Sequence, residues 1–170
     1  MDLETATTRD LLLQYAGILD ELNRRRVVRS RNAPAGDLAE TLVAAAYSGE
    51  LALASTKSWD VRAADDRLLQ VKCRVVDVDR PRGHYSPFRS WDFHACVFVL
   101  FDQATYGIRE AVEVPVAAVR GVAHEARWVH GSRVSVGAAL VRLDGAVDVT
   151  DRLSAALTAL PAGTPAGDAG

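Results

Sequence analysis

No apolar run in this sequence approaches the roughly 20 residues that a membrane-spanning helix needs. The first stretch, MDLETATTRDLL, is acidic and lacks the basic and apolar regions of a secretory leader. Cysteine is scarce: Cys73 and Cys96 fall inside predicted strands and read as small buried thiols. The histidines, His84, His94, His124 and His130, lack the close pairing of a zinc site, and two strand cysteines do not supply it. There is no phosphate-cradling P-loop and no GxSxG nucleophile elbow. A large excess of either charge is also missing. The net charge of −2 argues against a generally cationic coat for nucleic acid. The expected address is cytoplasmic.

What is present is a chain of 170 residues, 49% hydrophobic and 25% charged, enough for one globular domain with a real core. No internal repeat or dividing linker is visible. A single domain is expected over residues 1–160, with PAGTPAGDAG (161–170) as a disordered tail. Leu11, Leu12, Tyr15, Ala16, Ile18, Leu19 and Leu22 recur at helical spacing, which predicts an amphipathic helix over 7–27 with Thr7 or Thr8 at its start. After RNAPAGD a second helix is expected at about 37–47. Asp37 would serve as its cap or first-turn acid, Glu40 follows as in a capping box, and Gly49 ends it.

Strands are expected near 51–54 and at 58–63, 68–76, 93–101 and 109–115, with FHACVFVLF apolar on both faces like a central strand. VAAVRGVAHE reads as a short helix begun by Pro115. SRVSV and ALVRL read as late strands, and VTDRLSAALTAL as a last helix capped by Thr150 or Asp151. Helices, a run of strands and a final helix imply one mixed sheet with helices against it.

The charge average conceals a pattern. Residues 24–31, RRRVVRSR, hold Arg24, Arg25, Arg26, Arg29 and Arg31 and no acid, and 80–89 add Arg80, Arg82 and Arg89. A local basic surface fits a polyanion partner; the same arginines also serve to solvate a helix end and a loop. Within RPRGHYSPFRSWDF (80–93), Tyr85 or Phe88 would be placed to stack on bases, while Trp91 and Phe93 anchor the loop to the core.

The strand LLQVKCRVV raises the chemical question, because Gln70, Lys72 and Arg74 alternate with apolar Leu69, Val71, Cys73 and Val75. In the preceding strand Trp59, Val61 and Ala63 alternate with Asp60 and Arg62. If both apolar sets face one core, Asp60 shares a face with Gln70 and Lys72. A two- or four-residue loop breaks that agreement; an odd loop, such as 65–67, or a bulge restores it. The pattern predicts a carboxylate, an amide and an ammonium together. Asp60, the Gln70 oxygen and a main-chain carbonyl suit a hard divalent cation, with Glu40 completing the shell directly or through water. Lys72 would orient an attacking water or stabilise a phosphate. The plainer alternative is a surface Asp60–Lys72 ion pair beside a solvated Gln70.

GDLAE (36–40), SWDV (58–61) and LQVKCR (69–74), in that order, resemble the PD-(D/E)xK nuclease superfamily, in particular its Mrr-type variant with Gln in place of the second acid. The resemblance implies an α/β, restriction-endonuclease-like mixed central sheet flanked by helices, with a catalytic core at about 30–120. It implies Glu40 as the helix acid, Asp60 as the metal-binding acid, Gln70 at the second-acid position and Lys72 as the motif lysine. FHACVFVLFD looks like the central strand that follows the motif. Trp59 stands where the family's name has Pro, and Gln70 removes one anionic ligand.

The expected function is therefore a DNA endonuclease using Mg²⁺ or Mn²⁺, in restriction, defence or repair. Arg24, Arg25, Arg26, Arg29, Arg31, Arg62, Arg74, Arg80, Arg82 and Arg89 are the expected nucleic-acid contacts. A homodimer, with a partner protein possible as the source of specificity, is expected because one cleft cuts one strand of a duplex. The alternative is an inactive nucleic-acid-binding or assembly module of the same fold.

Overall fold

The apolar run at 95–101 takes the centre of the molecule. In the computed structural model, which describes residues 3–6, 8–29, 34–53, 58–77, 79–126 and 131–160 (at 8–13 and 126 the backbone only), strand β4 (Ala95–Asp102) is buried from Ala95 to Phe101. It lies in a six-stranded mixed sheet with β1 (Glu50–Leu51), β2 (Val61–Arg62), β3 (Leu68–Val76), β5 (Ile108–Pro115) and β8 (Val147–Asp148), ordered β1-β2-β3-β4-β5-β8. β3 and β4 are parallel, and every other neighbouring pair is antiparallel. A separate ribbon pairs β6 (His124–Ala126) with β7 (Gly131–Arg133). Among the described residues, helices α1 (Thr8–Arg24), α2 (Ala35–Ala46), α3 (Val116–Val122) and α4 (Thr150–Thr158) and a 3-10 turn at Leu140–Arg142 accompany the strands.

Alternation along β4 divides the core in two. Val97, Val99 and Phe101 meet α2 and α4 through Leu38, Ala39, Leu42, Val43 and Leu153. Cys96, Phe98 and Leu100 meet the opposite layer, made by α3, the 80–93 loop and Val134 and Val136. Burying a side chain such as Leu42 or Phe98 stabilises the fold by roughly 1.5–3 kcal/mol each, so a strand buried on both faces commits the chain to this centre.

Helix ends depart from the sequence expectation in instructive ways. α2 has Pro34 at its N-cap position and no side-chain cap. Asp37 instead accepts the Arg29 N–H at 2.7 Å, and Glu40 pairs with the Arg29 guanidinium. The preceding chain segment thus recruits the acids that a capping box would have used. At the other end Ser48, with φ 47°, takes the left-handed position. The N–H groups of Ser48 and Gly49 bond to the carbonyls of Ala45 and Ala44, as in a Schellman motif. Gly49 is needed for a second reason: a Cβ there would collide with the Arg62 carbonyl oxygen of β2. α4 is not capped by the Thr150 or Asp151 side chain either; Thr150 Oγ1 accepts the Ala111 N–H of β5, and Asp148 accepts the Thr150 N–H.

Other boundaries moved as well. ALVRL is a 3-10 turn rather than a strand, bracketed by Gly137 and Gly145 at φ 88° and 71°. Those turns leave too little extended chain to pair. Of SRVSV only the first residues join β7; Val134 and Val136 bond instead to Tyr85 and Gly83 of the long loop. Where strands are expected near 51–54 and at 58–63, the described residues pair at Glu50–Leu51 and Val61–Arg62, residue 54 lying outside the described residues, while 68–76 is matched end to end. Thr7, Arg31 and the 161–170 tail lie outside the described residues.

Candidate active site

The site starts from the hairpin register. Val61 lies opposite Leu69 and Arg62 opposite Leu68, and the Ala63 N–H bonds to the Arg67 carbonyl at 2.9 Å. The loop is Ala64–Asp66, an odd length, closed by Asp66 in the left-handed region at φ 64°. Continued by one residue beyond the Val61–Leu69 pair, that register sets Asp60 beside Gln70. The Asp60 main chain is held on both sides: its N–H bonds to the Leu69 carbonyl at 2.9 Å, and its carbonyl accepts the Ala52 N–H at 2.8 Å.

Its side chain takes over where the β2 ladder stops. Asp60 Oδ2 accepts the Val71 N–H at 2.7 Å and also the Gln70 side-chain amide. Among the described residues nothing donates to Oδ1. Burial raises the Asp60 carboxyl above its usual range, opposed by the Val71 N–H, the Lys72 charge, the Gln70 amide and the Arg29 charge. Glu40 approaches from α2. Burial first, and then the Asp60 charge, push its carboxyl up to about 7 against the pull of Arg29. Main-chain and amide donors oppose the shift of Asp60, whereas the opposing pull on Glu40 comes from Arg29.

Lys72 acts on Asp60 through its charge. Its Nζ donates to the Pro87 carbonyl at 3.4 Å and lies 5.0 Å from the Phe88 ring centroid. With Gln70, Ser86, Pro87 and Arg89 it lines a cleft of about 260 Å³. Lys72 and Asp60 make no direct ion pair, and Gln70 is only 8% exposed. The plainer alternative of a surface pair beside a solvated amide therefore fails: the face is covered by the 80–93 loop.

Two sequence expectations need correction. Tyr85 and Phe88 are not free to stack on bases. Both are buried, with Tyr85 edge-on to Phe98 at 4.8 Å and Phe88 stacked on Trp91 at 5.0 Å. Trp91 and Phe93 do anchor the loop. Trp59 leaves the Val61 and Ala63 face, because it precedes the regular strand. It packs with Leu68 in the second core, and the Arg62 guanidinium lies 5.6 Å from its ring.

The arginines divide into two sets. Arg24 and Arg25 both pair with Glu21, one turn back, at 2.7 and 2.8 Å, so the basic run is partly neutralised. Arg26, at φ 60°, is the left-handed residue that ends α1. Arg29 is held by Glu40. Arg62, Arg74, Arg80, Arg82 and Arg89 are exposed and make no ion pair among the described residues. Arg74 lies against Gly83, where a Cβ would stand 3.3 Å from its Nη2. Lys72, Arg74, Arg82 and Arg89 thus share one side of the molecule. Sequence reading did not find the Arg29–Glu40 pairing: its signal, an arginine eleven residues before an acid across a Pro turn, is silent without coordinates.

Among the described residues, no three His, Cys, Asp or Glu side chains come close enough to hold a metal ion by themselves. A cation here would rest on Glu40 and Asp60, with main-chain oxygen, water and substrate phosphate completing its shell. The donors are all hard oxygens, and Mg²⁺ is commonly bound through one or two carboxylates in this way. Gln70, with its nitrogen on Asp60, first holds that carboxylate; its oxygen is the donor it could offer a cation.

The raised Glu40 carboxyl has a measurable consequence without any metal. A folded-state value near 7 against an ordinary 4.5 means that the folded chain holds this proton more tightly than the unfolded one. The associated stability is complete below pH 4.5 and is lost as pH rises through 7. The loss is on the order of 2 kcal/mol for a partly screened group. Urea unfolding at pH 5 and pH 8 should show this loss in the wild type and a smaller one in Glu40→Gln. Equal losses in the two proteins would remove Glu40 as the cause.

Among the described residues no helix is long and apolar enough to cross a membrane. No protein-family model matches the chain, and no curated protein matches it.

Proposed function

We propose that this protein is a restriction-endonuclease-like, metal-dependent nuclease that hydrolyses phosphodiester bonds of DNA with Mg²⁺ or Mn²⁺. The observation that carries the reading is the state of Asp60. One carboxylate oxygen is held by the Val71 N–H and the Gln70 amide, the other takes no donor among the described residues, and Asp60 interacts through its charge with both Glu40 and Lys72. The succession of helix acid, strand Asp, Gln-x-Lys strand and buried central strand supports it further.

Glu40 and Asp60 are the residues that would hold the cation, which when bound supplies Lewis-acid stabilisation of charge on a phosphate oxygen. Lys72 orients the attacking water and places positive charge where the phosphoryl oxygens gather it. The Pro87 carbonyl and the Phe88 ring keep its ammonium directed along the cleft. Arg74, Arg82 and Arg89 are the phosphate contacts nearest this cleft. Cleavage of supercoiled plasmid in Mg²⁺ or Mn²⁺ that stops with chelator is the direct test. Intact plasmid under every metal condition would reject the reading.

A second reading, an inactive nucleic-acid-binding or assembly module, is favoured by one feature: Arg29 already neutralises Glu40. It requires DNA binding that persists in chelator with no cleavage at all.

Two further outcomes belong to the proposal. Binding to duplex DNA should weaken with salt, and converting Arg74, Arg82 and Arg89 to Ala should each reduce the slope of log K against log salt by about 1. Converting Arg24 or Arg25, already paired with Glu21, should change it less; equal effects of all five would remove the distinction. The second outcome is a homodimer through α1. Leu22 packs half-buried against this chain's own core and Leu19 is buried, but Tyr15 and Ile18 remain 47% and 51% exposed. Light scattering at micromolar concentration should give twice the chain mass; a monomer mass with and without DNA would contradict it.

A further inference from the structure

Arg29 sits in an unusual set of contacts for a surface arginine. Its Nη2 pairs with the Glu40 carboxylate, and its Nη1 donates to the Ala52 carbonyl at 3.1 Å. Its positive charge also reaches Asp60. Ala52 is itself next to Asp60, because its N–H bonds to the Asp60 carbonyl. A carboxylate oxygen, a main-chain carbonyl and the field of a second carboxylate are what a hard divalent cation would use at this place. The segment around Arg29 is also tethered, through its own N–H to Asp37 at 2.7 Å, so the guanidinium is delivered to the acids by the backbone.

We infer that Arg29 is the resident counter-cation of the Glu40–Asp60 pair, and that a divalent cation enters this site by displacing its guanidinium. The inference rests on the metal-site reading of those two acids and adds a competitor to it. Two consequences follow. The cation binds weakly to the free protein, because Glu40 must give up an ion pair first. A DNA phosphate then offers the released guanidinium a bidentate partner. Metal and DNA thus strengthen each other's binding, and the coupling is reciprocal.

The test uses the full chain and Mn²⁺ alone, without DNA, followed by calorimetry and by the electron-spin signal of free Mn²⁺. Arg29→Gln should bind Mn²⁺ about tenfold more tightly or better, since an adjacent positive charge and its ion pair are gone. Arg29→Lys, which keeps the charge, should stay close to wild type. Arg142→Gln, the same charge change in the exposed part of the 3-10 turn, should do nothing. In the wild-type chain, which needs no substitution to fold, the Arg29 side-chain N–H resonances should move as Mg²⁺ is titrated.

Equal or weaker Mn²⁺ binding by Arg29→Gln, while Asp60→Asn still abolishes binding, would overturn displacement and leave the metal site standing. Unmoved Arg29 resonances at saturating Mg²⁺ would do the same. Failure of both wild type and Arg29→Gln to bind Mn²⁺ would overturn the metal site and the inference together.

Discussion

Asp60→Asn should lower metal-dependent DNA cleavage by about 10³-fold or more, the scale on which electrostatic groups at a reacting phosphate act. The amide can still accept the Val71 N–H, so the local fold has a way to persist, but the charge that would hold a cation is gone. Lys72→Met should cost about 10²–10⁴-fold, the range of a lost proton-transfer or charge-stabilising group. Met keeps an unbranched apolar stem against Phe88 and so separates chemistry from packing. Both variants should unfold near the wild-type midpoint. Wild-type cleavage by Asp60→Asn would remove Asp60 from the site whatever the other variants did.

Gln70→Glu tests the same arrangement from the third side. A carboxylate at position 70 would restore an anionic ligand, so cleavage should be kept or raised. In the metal-free protein it loses the hydrogen bond to Asp60 and faces a like charge. A cost of roughly 1–3 kcal/mol in metal-free stability is expected, recovered when Mn²⁺ is added.

Phe98→Ala should destabilise the protein by about 3–5 kcal/mol, the range for an aromatic side chain removed from a packed core. Phe98 is buried at the centre of β4, with the Tyr85 and Phe88 rings 4.8 and 6.1 Å away. It is also the register partner of Lys72 across the parallel β3–β4 pair. Its loss should loosen the loop that supplies the Pro87 carbonyl to Lys72, so cleavage should fall by more than the unfolded fraction explains. Phe98→Leu, which fills more of the space, should recover most of the stability. A denaturation midpoint shifted by less than 1 kcal/mol in Phe98→Ala would contradict the placement of the second core.

The two layers differ in what holds them. On the α2 and α4 side, apolar packing is joined by one buried acid, Glu113, which takes the Tyr47 hydroxyl at 2.5 Å and the Arg67 guanidinium. That contact ties the end of α2 and the hairpin turn to β5. Both partners help to offset the cost of removing the carboxylate from water, so the contact orients these elements more than it stabilises them. On the other side, among the described residues, no long helix covers the sheet. An irregular loop does so through Tyr85, Phe88 and Phe93, and is itself pinned by backbone bonds from Tyr85, Phe88 and Val136 to the 131–136 segment and Gly83.

Strand alternation predicted, on the condition that both apolar sets face one core, that Asp60, Gln70 and Lys72 belong together. Side chains in a strand change face at every residue, and the apolar set Leu69, Val71, Cys73 and Val75 must choose the core. The odd hairpin loop was implied by the same parity, although it closed one residue earlier than the example at 65–67, at Ala64–Asp66. The both-sided apolar run likewise marked β4 as central. Tertiary structure alone decided whether the polar face was open. Tyr85 and Phe88 carry no periodic signal in a loop, and only contact with Phe98 makes them core rather than base-stacking residues. It also decided which arginines are available. Arg24 and Arg25 meet Glu21 by the local i,i+3 and i,i+4 spacing at the end of α1, whereas Arg29 meets Glu40 only because the chain brings α2 back within its reach.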